Sequence, residues 1–445
     1  MIPFDLCFIT YEPSIDRIIS ELHRKYPTEE YVMRVLDRKL HLRAGAKAYS
    51  AQSLTGVEQR LRSFLSKRIR GSFDVSDLNE GEPMLNDTII NPFNVDPRDE
   101  LMHASQPVQN WTEYMYLFGY CLKSQHGVSI HIGKESSDTT IWRATLGIFL
   151  PNGELLVAKY SGRNGTARGG GAGPLQVSCV EPFRTWAADF DGLAERTTRN
   201  AIMTSVHQDS LPELARFHLV FEGAAPMWDL EKGGDMPSLV LVDGEEAKQK
   251  NHPSKTYHWE QLVKVRGHVT YGGNTYQING GGVRDHSFGP RNYWPLVGSL
   301  WINAVFPSGK AIMLMTTHVT GFSFMVGYVY RGDGQPLEVV KVVEHPFLSN
   351  VDTQDRSVPA DPLEEGAERR FKFVFQSKKG REVIEGELLH GMGTTYVSPN
   401  FELVGTALDR VKDSSQLAEC PTRFTWDGEV GVGVRERIVR VAALR

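Results

Sequence analysis

The chain has 445 residues, 40% hydrophobic and 23% charged, the balance of a water-soluble globular protein with room for two or three domains. Its formal net charge of -5 and pI near 6.3 exclude the broad basic surface that nucleic-acid binding calls for. No apolar run approaches the roughly 20 residues of a membrane-spanning helix. Cys7, Cys121, Cys179 and Cys420 are far apart and form no CxxC, which suits reduced thiols and a cytoplasmic setting better than a disulfide framework. The opening MIPFDLCFITYEPSIDR has no charged start, long apolar run or small-residue cleavage site, so no secretory leader is expected.

Residues 1–75 read as a helical N-terminal extension. Ile15, Ile18, Ile19 and Leu22 share one face of a predicted helix that Ser14 can cap. Tyr31, Val32, Val35, Leu36 and Leu40 repeat the pattern. Thr55 to Glu58 resembles a capping box opening a third helix, which ends in the basic run Lys67–Arg70. Residues 76–110 are rich in Asp, Asn and Pro and read as a linker lying over the surface of the C-terminal remainder of the chain.

From Trp111 onward the sequence predicts strands. Residues 128–134, 140–150, 154–162, 175–182, 217–223, 257–271 and 274–280 form one series. Pro151-Asn152-Gly153 and Gly272-Gly273-Asn274 mark turns. Residues 300–306, 310–319, 322–331, 337–345, 369–377, 382–390, 396–405 and 422–441 form a second. Turns recur about every ten residues, the rhythm of barrels or sandwiches, and no βαβα alternation appears. The expected fold is mainly β, with a first β domain over 111–295 and a second over 296–445.

One stretch concentrates the chemistry: QINGGGVRDHSFGPRNYW, Gln277 to Trp294. Three glycines precede Arg284, Asp285, His286, Phe288 and Arg291, and Tyr293 and Trp294 come after them. Glycines inside a strand mark close backbone approach. Ionisable groups beside aromatics suggest a pocket. The expectation is that the segment lines the inside of a barrel and holds Asp285 in an apolar cavity. Strand alternation puts Asp285 with Val283 and Ser287, and Arg284 with His286 on the opposite face. In the strand Tyr257 to Gln261, His258 and Glu260 share one face, with Tyr257, Trp259 and Gln261 on the other.

Arg284-Asp285-His286-Ser287-Phe288-Gly289 resembles the (R/H)-D-H-x-(W/F)-G segment of the hydroxyneurosporene synthase (carotenoid 1,2-hydratase) and AttH-like family. That family is related in architecture to fungal decalin-forming Diels–Alderases. The resemblance spans roughly Trp111 to Arg445 and implies two tandem lipocalin-like β-barrels. It also implies that Asp285 is the acid, and that His258 and Trp259 match the family's upstream His/Trp pair. Val283 stands where the hydratases carry a tyrosine.

Each residue keeps a plainer reading beside the chemical one. Asp285 is either a proton donor with a raised pKa or half of an ion pair with Arg284 or Arg291. His286 is a candidate base or an anchor for a neighbouring loop. His258 and Glu260 could share a proton, or be satisfied polar groups on a sheet. The glycine-rich 162–173 lacks the Gly-Lys-Ser/Thr ending of a phosphate loop and reads as a loop at a barrel mouth. Ser287 has no nucleophile-elbow context, and no histidine set has metal-site spacing, so no metal and no cofactor are expected.

The favoured function is a cofactor-independent hydratase or cyclase acting on a hydrophobic isoprenoid- or polyketide-like substrate. Its catalytic candidates are Asp285, His258 and His286. Its substrate contacts are Trp259, Glu260, Arg284, Phe288, Arg291, Tyr293 and Trp294, with Trp259 or Trp294 steadying a cation. A lipophile carrier without catalysis is the alternative, and docking to a partner enzyme is a third class. A peripheral membrane contact and the oligomeric state stay open.

Overall fold

The computed structural model describes residues 87–204, 212–233, 256–290, 296–319, 322–345, 369–398, 401–405 and 414–440. The helices expected over 1–75 lie outside them. The described residues are mainly β, with two large antiparallel sheets.

The first sheet holds β1 (Trp111–Cys121), β2 (His126–Lys134), β3 (Trp142–Phe149), β4 (Glu154–Gly162), β5 (Gly171–Ala172), β6 (Leu175–Glu181), β7 (Thr185–Thr198), β8 (Pro212–Gly223), β9 (Trp228–Asp229), β10 (Tyr257–Tyr271) and β11 (Asn274–Pro290). Pairing runs β4-β3-β2-β1-β11-β10-β8-β7, and Glu154–Val157 of β4 returns to Glu195–Thr198 of β7. Those eight strands close an up-and-down barrel, which removes the exposed edges an open sheet would leave. The hairpin β5–β6 lies on the edge of β7, and β9 on β10. The β10–β11 turn falls where the sequence places it, and Gly272 and Gly273 both take positive φ, 55° and 77°, as a tight two-residue hairpin requires. β7 was not foreseen; its Ala, Asp and Gly content gives little strand signal.

The second sheet holds β12 (Leu296–Val305), β13 (Ala311–Val319), β14 (Phe322–Tyr330), β15 (Glu338–Val339), β16 (Lys341–Glu344), β17 (Arg370–Ser377), β18 (Gly380–Leu388), β19 (Met392–Ser398), β20 (Phe401–Val404), β21 (Ser415–Trp426) and β22 (Glu429–Arg440). The expected strand 337–345 is split at Val340. Its first part pairs with β14 and its second with β17, so one extended segment carries the sheet round. Residues 422–441 are likewise two strands, turning at Asp427–Gly428.

Short helices α1 (Asp87–Ile90), α2 (Arg199–Thr204) and α3 (Leu230–Gly233) complete the described elements, with 3-10 turns at Pro97–Glu100 and Pro151–Gly153. Among the described residues no helix is long and apolar enough to cross a membrane.

The sheets pack face to face. β1 is buried on both sides, because it has a core on each. Met115 and Leu117 join Ile130, Leu146 and Val263 inside the first barrel. Tyr116, Phe118 and Tyr120 join Trp301, Val305, Val432 and Val434 in the seam between the sheets. The second sheet keeps its own interior of Leu300, Ile302, Phe373, Phe375, Phe424 and Trp426. The seam closes over glycine. A Cβ on Gly281 would stand 1.9 Å from Val305 Cγ2, and one on Gly147 would stand 2.2 Å from Met392 Sδ.

Candidate acid site between the sheets

Alternation along β11 divides the motif between two environments. Arg284 and His286 point into the first barrel, while Val283 and Asp285 face the seam. Asp285 is therefore not inside the barrel, contrary to the sequence expectation. The barrel interior at that end is already filled by a polar cluster.

That cluster is built around the segment preceding β1, which lies largely over the surface, as expected of residues 76–110, but sends the Glu100 side chain inward. Glu100 is fully buried. It takes the Arg284 guanidinium at 2.8 Å, the indole N–H of Trp186 at 2.9 Å and that of Trp259 at 2.5 Å. Gln261 Oε1 accepts from Arg284 at 2.8 Å. Burial opposes ionisation of Glu100, but Arg284, His286 and the Trp186 N–H outweigh it and hold the carboxyl below its usual range.

Glu113 repeats the arrangement. It contacts His103 Nδ1 at 2.8 Å, Lys134 Nζ at 2.8 Å and His286 Nε2 at 3.1 Å, and accepts the His103 backbone N–H. Against burial, these hydrogen bonds and charges hold Glu113 well below the carboxylate range. Phe288 stacks on His103 with centroids 3.6 Å apart. His103, Glu113 and His286 offer three ligand atoms within 4.8 Å of one another, a spacing a metal ion could use. Lys134 already supplies the cation there, so the donor set does not favour a metal. His286, Arg284, Trp259 and Phe288 thus hold the barrel end together, and Trp259 lies on the opposite face from Asp285.

The seam presents a second set of ionisable groups. His131, Tyr116, Asp285, Glu260 and Trp228 lie in register across β2, β1, β11, β10 and β9. Met315, Trp301, Glu436, Glu419 and Met392 lie in register across β13, β12, β22, β21 and β19. The rows meet where His131 Nε2 reaches Glu419 Oε1 at 2.9 Å and Ser129 Oγ donates to Glu419 Oε2 at 2.7 Å. The rings of Tyr116 and Trp301 lie 6.0 Å apart, and Trp228 stacks on Tyr328 at 4.8 Å.

Four carboxyls share this space and are held in different states. Burial, then the charges of Asp285 and Glu436, push Glu260 well above its usual range. Burial and Glu419 raise Glu436 to about 8, with Asp285 adding and His131 opposing. Glu419 is held low, because His131 and the neighbouring hydroxyls outweigh its burial. Asp285 lies 3.3 Å from His258 Nε2, without hydrogen-bond alignment. Arg284, one of the two partners that the ion-pair reading gave it, is committed to Glu100, and the other, Arg291, lies outside the described residues.

Exposure falls from His258 at 31% to Asp285 at 15% and Glu260 at 1%, so the cluster is reached from the His258 side. Among the described residues, Asp285 Oδ1, the Tyr328 hydroxyl and the indole nitrogen of Trp228 are buried with no hydrogen-bond partner, while the Trp301 indole lies against Glu260. Buried polar atoms are paired in the great majority of cases, so this concentration marks the seam as unusual.

Of the expected site residues, Asp285, Glu260 and His258 come together in the seam. His286, Arg284, Trp259 and Phe288 form the barrel cluster, and Arg291, Tyr293 and Trp294 lie outside the described residues. Sequence reasoning missed Glu100, Glu113, Glu419 and Glu436. The only signal was a lone carboxyl in an apolar strand, as in LAEC and VRERIV, and it cannot say which strands face each other.

The model of the family described as a domain of unknown function, DUF7064, matches residues 96–438. The chain belongs to that family. The match starts inside the segment carrying Glu100 and runs through both sheets, so the DUF7064 unit includes the barrel cluster and the seam. A search of curated proteins finds no match. Among solved structures, the chain is similar to an AttH-like protein from Nitrosomonas europaea, at 12% identity and a TM-score of 0.43, covering 81% of this chain and 99% of that one. It is also similar to CghA with Sch210972, at 9% identity and a TM-score of 0.41, covering 75% and 89%. CghA alone gives 10% identity and a TM-score of 0.40, covering 79% and 97%. None of the three carries the hydroxyneurosporene synthase name.

Proposed function

We propose that this DUF7064 protein performs cofactor-independent acid chemistry on a hydrophobic, isoprenoid- or polyketide-like molecule held in the seam, as a hydratase or cyclase. The observation that supports this is the Glu260–Asp285 pair. Two carboxyls stand directly opposite on adjacent strands, and burial, with the charges of Asp285 and Glu436 adding, pushes Glu260 well above its usual range and so favours its protonated form. The acid in this reading is therefore Glu260, with Asp285 beside it, rather than Asp285 alone.

In the hydration version the Glu260 O–H gives its proton to a substrate double bond, and the bond's electron pair forms the new C–H bond. The rings of Tyr116 and Trp301 face the resulting cation. Water adds to the cation and releases a proton to Asp285, from which Glu260 is recharged. In the cyclase version a second double bond of the substrate attacks the cation, and the same groups take up the proton lost at the end.

The test uses purified protein and lipophilic extracts of the source cell in heavy water. Wild-type protein should place one deuterium in a product, and Glu260→Gln should lose about 10²–10⁴-fold in kcat. A glutamine variant with near wild-type turnover removes the acid role. Tight binding of a lipophile by the wild type with no product makes the protein a carrier.

A further inference from the structure

A cavity lies farther along the same seam. Tyr120 is four residues beyond Tyr116 on β1, roughly 13 Å at about 3.3 Å per residue. There a cavity of about 320 Å³ is lined by Tyr120, Leu150, Arg199, Arg369, His390 and Arg423, among others. The first sheet contributes Tyr120 and the turn after β3, α2 contributes Arg199, and the second sheet contributes Arg423 and the residues flanking β17 and β18.

The described lining holds three guanidinium groups and no aspartate or glutamate. Part of that charge is answered from outside: Arg423 Nη1 meets Glu387 Oε2 at 3.0 Å, with the two side chains 43% and 36% exposed. Such an exposed pair is weak and readily shared with a ligand. Arg369 has no ion pair among the described residues. His390 adds no charge. Its Nδ1 accepts the Gly391 N–H at 2.7 Å and its Nε2 faces the Glu154 carbonyl at 3.0 Å, the pattern of a neutral ring. Burial, with the Arg199 charge adding, lowers its pKa to about 4. The remaining wall is mixed: the Tyr120 ring, Leu122, Leu150 and Leu389 are apolar, and Gln125 and Asn152 are polar.

We infer that this cavity binds a small organic anion, a carboxylate or phosphate monoester, whose head is held by Arg369 and Arg423. Planar guanidinium forks match both head groups, and the volume is at the small end of ligand pockets. The inference stands apart from the acid chemistry, because it uses none of the carboxyl cluster.

The experiment is calorimetric titration of the full chain with phenyl phosphate, with benzoate, and with benzyl alcohol as the neutral control. At least one anion should bind with a stoichiometry of one, and the alcohol should not. Arg369→Gln and Arg423→Gln should each weaken binding tenfold or more. If Arg423→Gln also disturbs the fold, Arg369→Gln decides, since it breaks no ion pair among the described residues. Whichever anion binds more tightly identifies the head group. Saturable binding of neither anion, equal binding of the alcohol, or affinity unchanged in Arg369→Gln overturns the assignment.

Discussion

Glu260 and Asp285 meet because β10 and β11 are paired in a register that sets them directly opposite. Like charges in that position destabilise a sheet, and burial makes a second negative charge costlier still. Retaining a proton relieves both. Replacing Asp285 with Asn removes one charge at nearly constant shape. Asp285→Asn should fold normally and melt no lower than wild type, because Arg284 is held by Glu100 instead. Its Glu260 should deprotonate at lower pH, read from the infrared band of the protonated carboxyl. A band with unchanged titration would mean that burial alone keeps the proton. Any catalytic loss should appear in kcat rather than in ligand affinity.

At the scale of elements, the segment before β1 and strand β11 depend on each other. Glu100 is the common acceptor for Arg284, Trp186 and Trp259. Glu100→Ala would leave two indole N–H groups without their acceptor and a buried guanidinium without its counter-charge, with only the Gln261 Oε1 left to it. Breaking a buried pair in this way costs about 3–5 kcal/mol, and chemical denaturation should show a loss of that order. A loss under 1 kcal/mol would show that the segment is dispensable to the barrel. The seam depends on a different device. Gly281→Val would force side-chain atoms into Val305, and overpacking costs typically 1–3 kcal/mol. The same substitution at Gly273, in an open turn, should cost through its positive φ and leave the seam intact. Comparing the two by cross-linking across the sheets separates backbone strain from failed packing.

At the scale of the whole molecule, the carboxyls give stability a pH dependence of known sign. Glu436 has a folded pKa of about 8 against an unfolded value near the ordinary 4.5. Its contribution is fully present below the unfolded value. Between the two values the folded chain holds a proton that the unfolded chain has released, so stability falls as pH rises and levels off above about 8. Glu436→Gln should flatten that decline and raise the melting temperature at pH 8 relative to wild type, with the two curves converging near pH 4. Glu113 and Glu100 act in the opposite direction: their pKa values are depressed, so their stabilisation is present above the unfolded value and lost as pH falls through the folded one. The wild type should therefore be most stable on the mildly acidic side of neutrality. A Glu436→Gln curve parallel to wild type between pH 5 and 8 would contradict the assignment.

By itself the sequence determined the strands with clear apolar alternation, the glycine turn after β10, and the opposite faces of Asp285 and Arg284. These arise from local chain geometry, in which side chains alternate and only certain residues tolerate positive φ. Only the tertiary structure decided which face was inside. Both faces of β1, and of β11 from Gly281 onward, are largely buried, so alternation could not distinguish barrel interior from seam. The partners that decide the chemistry come from far along the chain: Glu100 lies 184 residues from Arg284, and Glu419 lies 288 from His131. The protonation of Glu260 depends on surroundings assembled from both sheets. No local pattern encodes it, because burial and neighbouring charge exist only once the seam has closed.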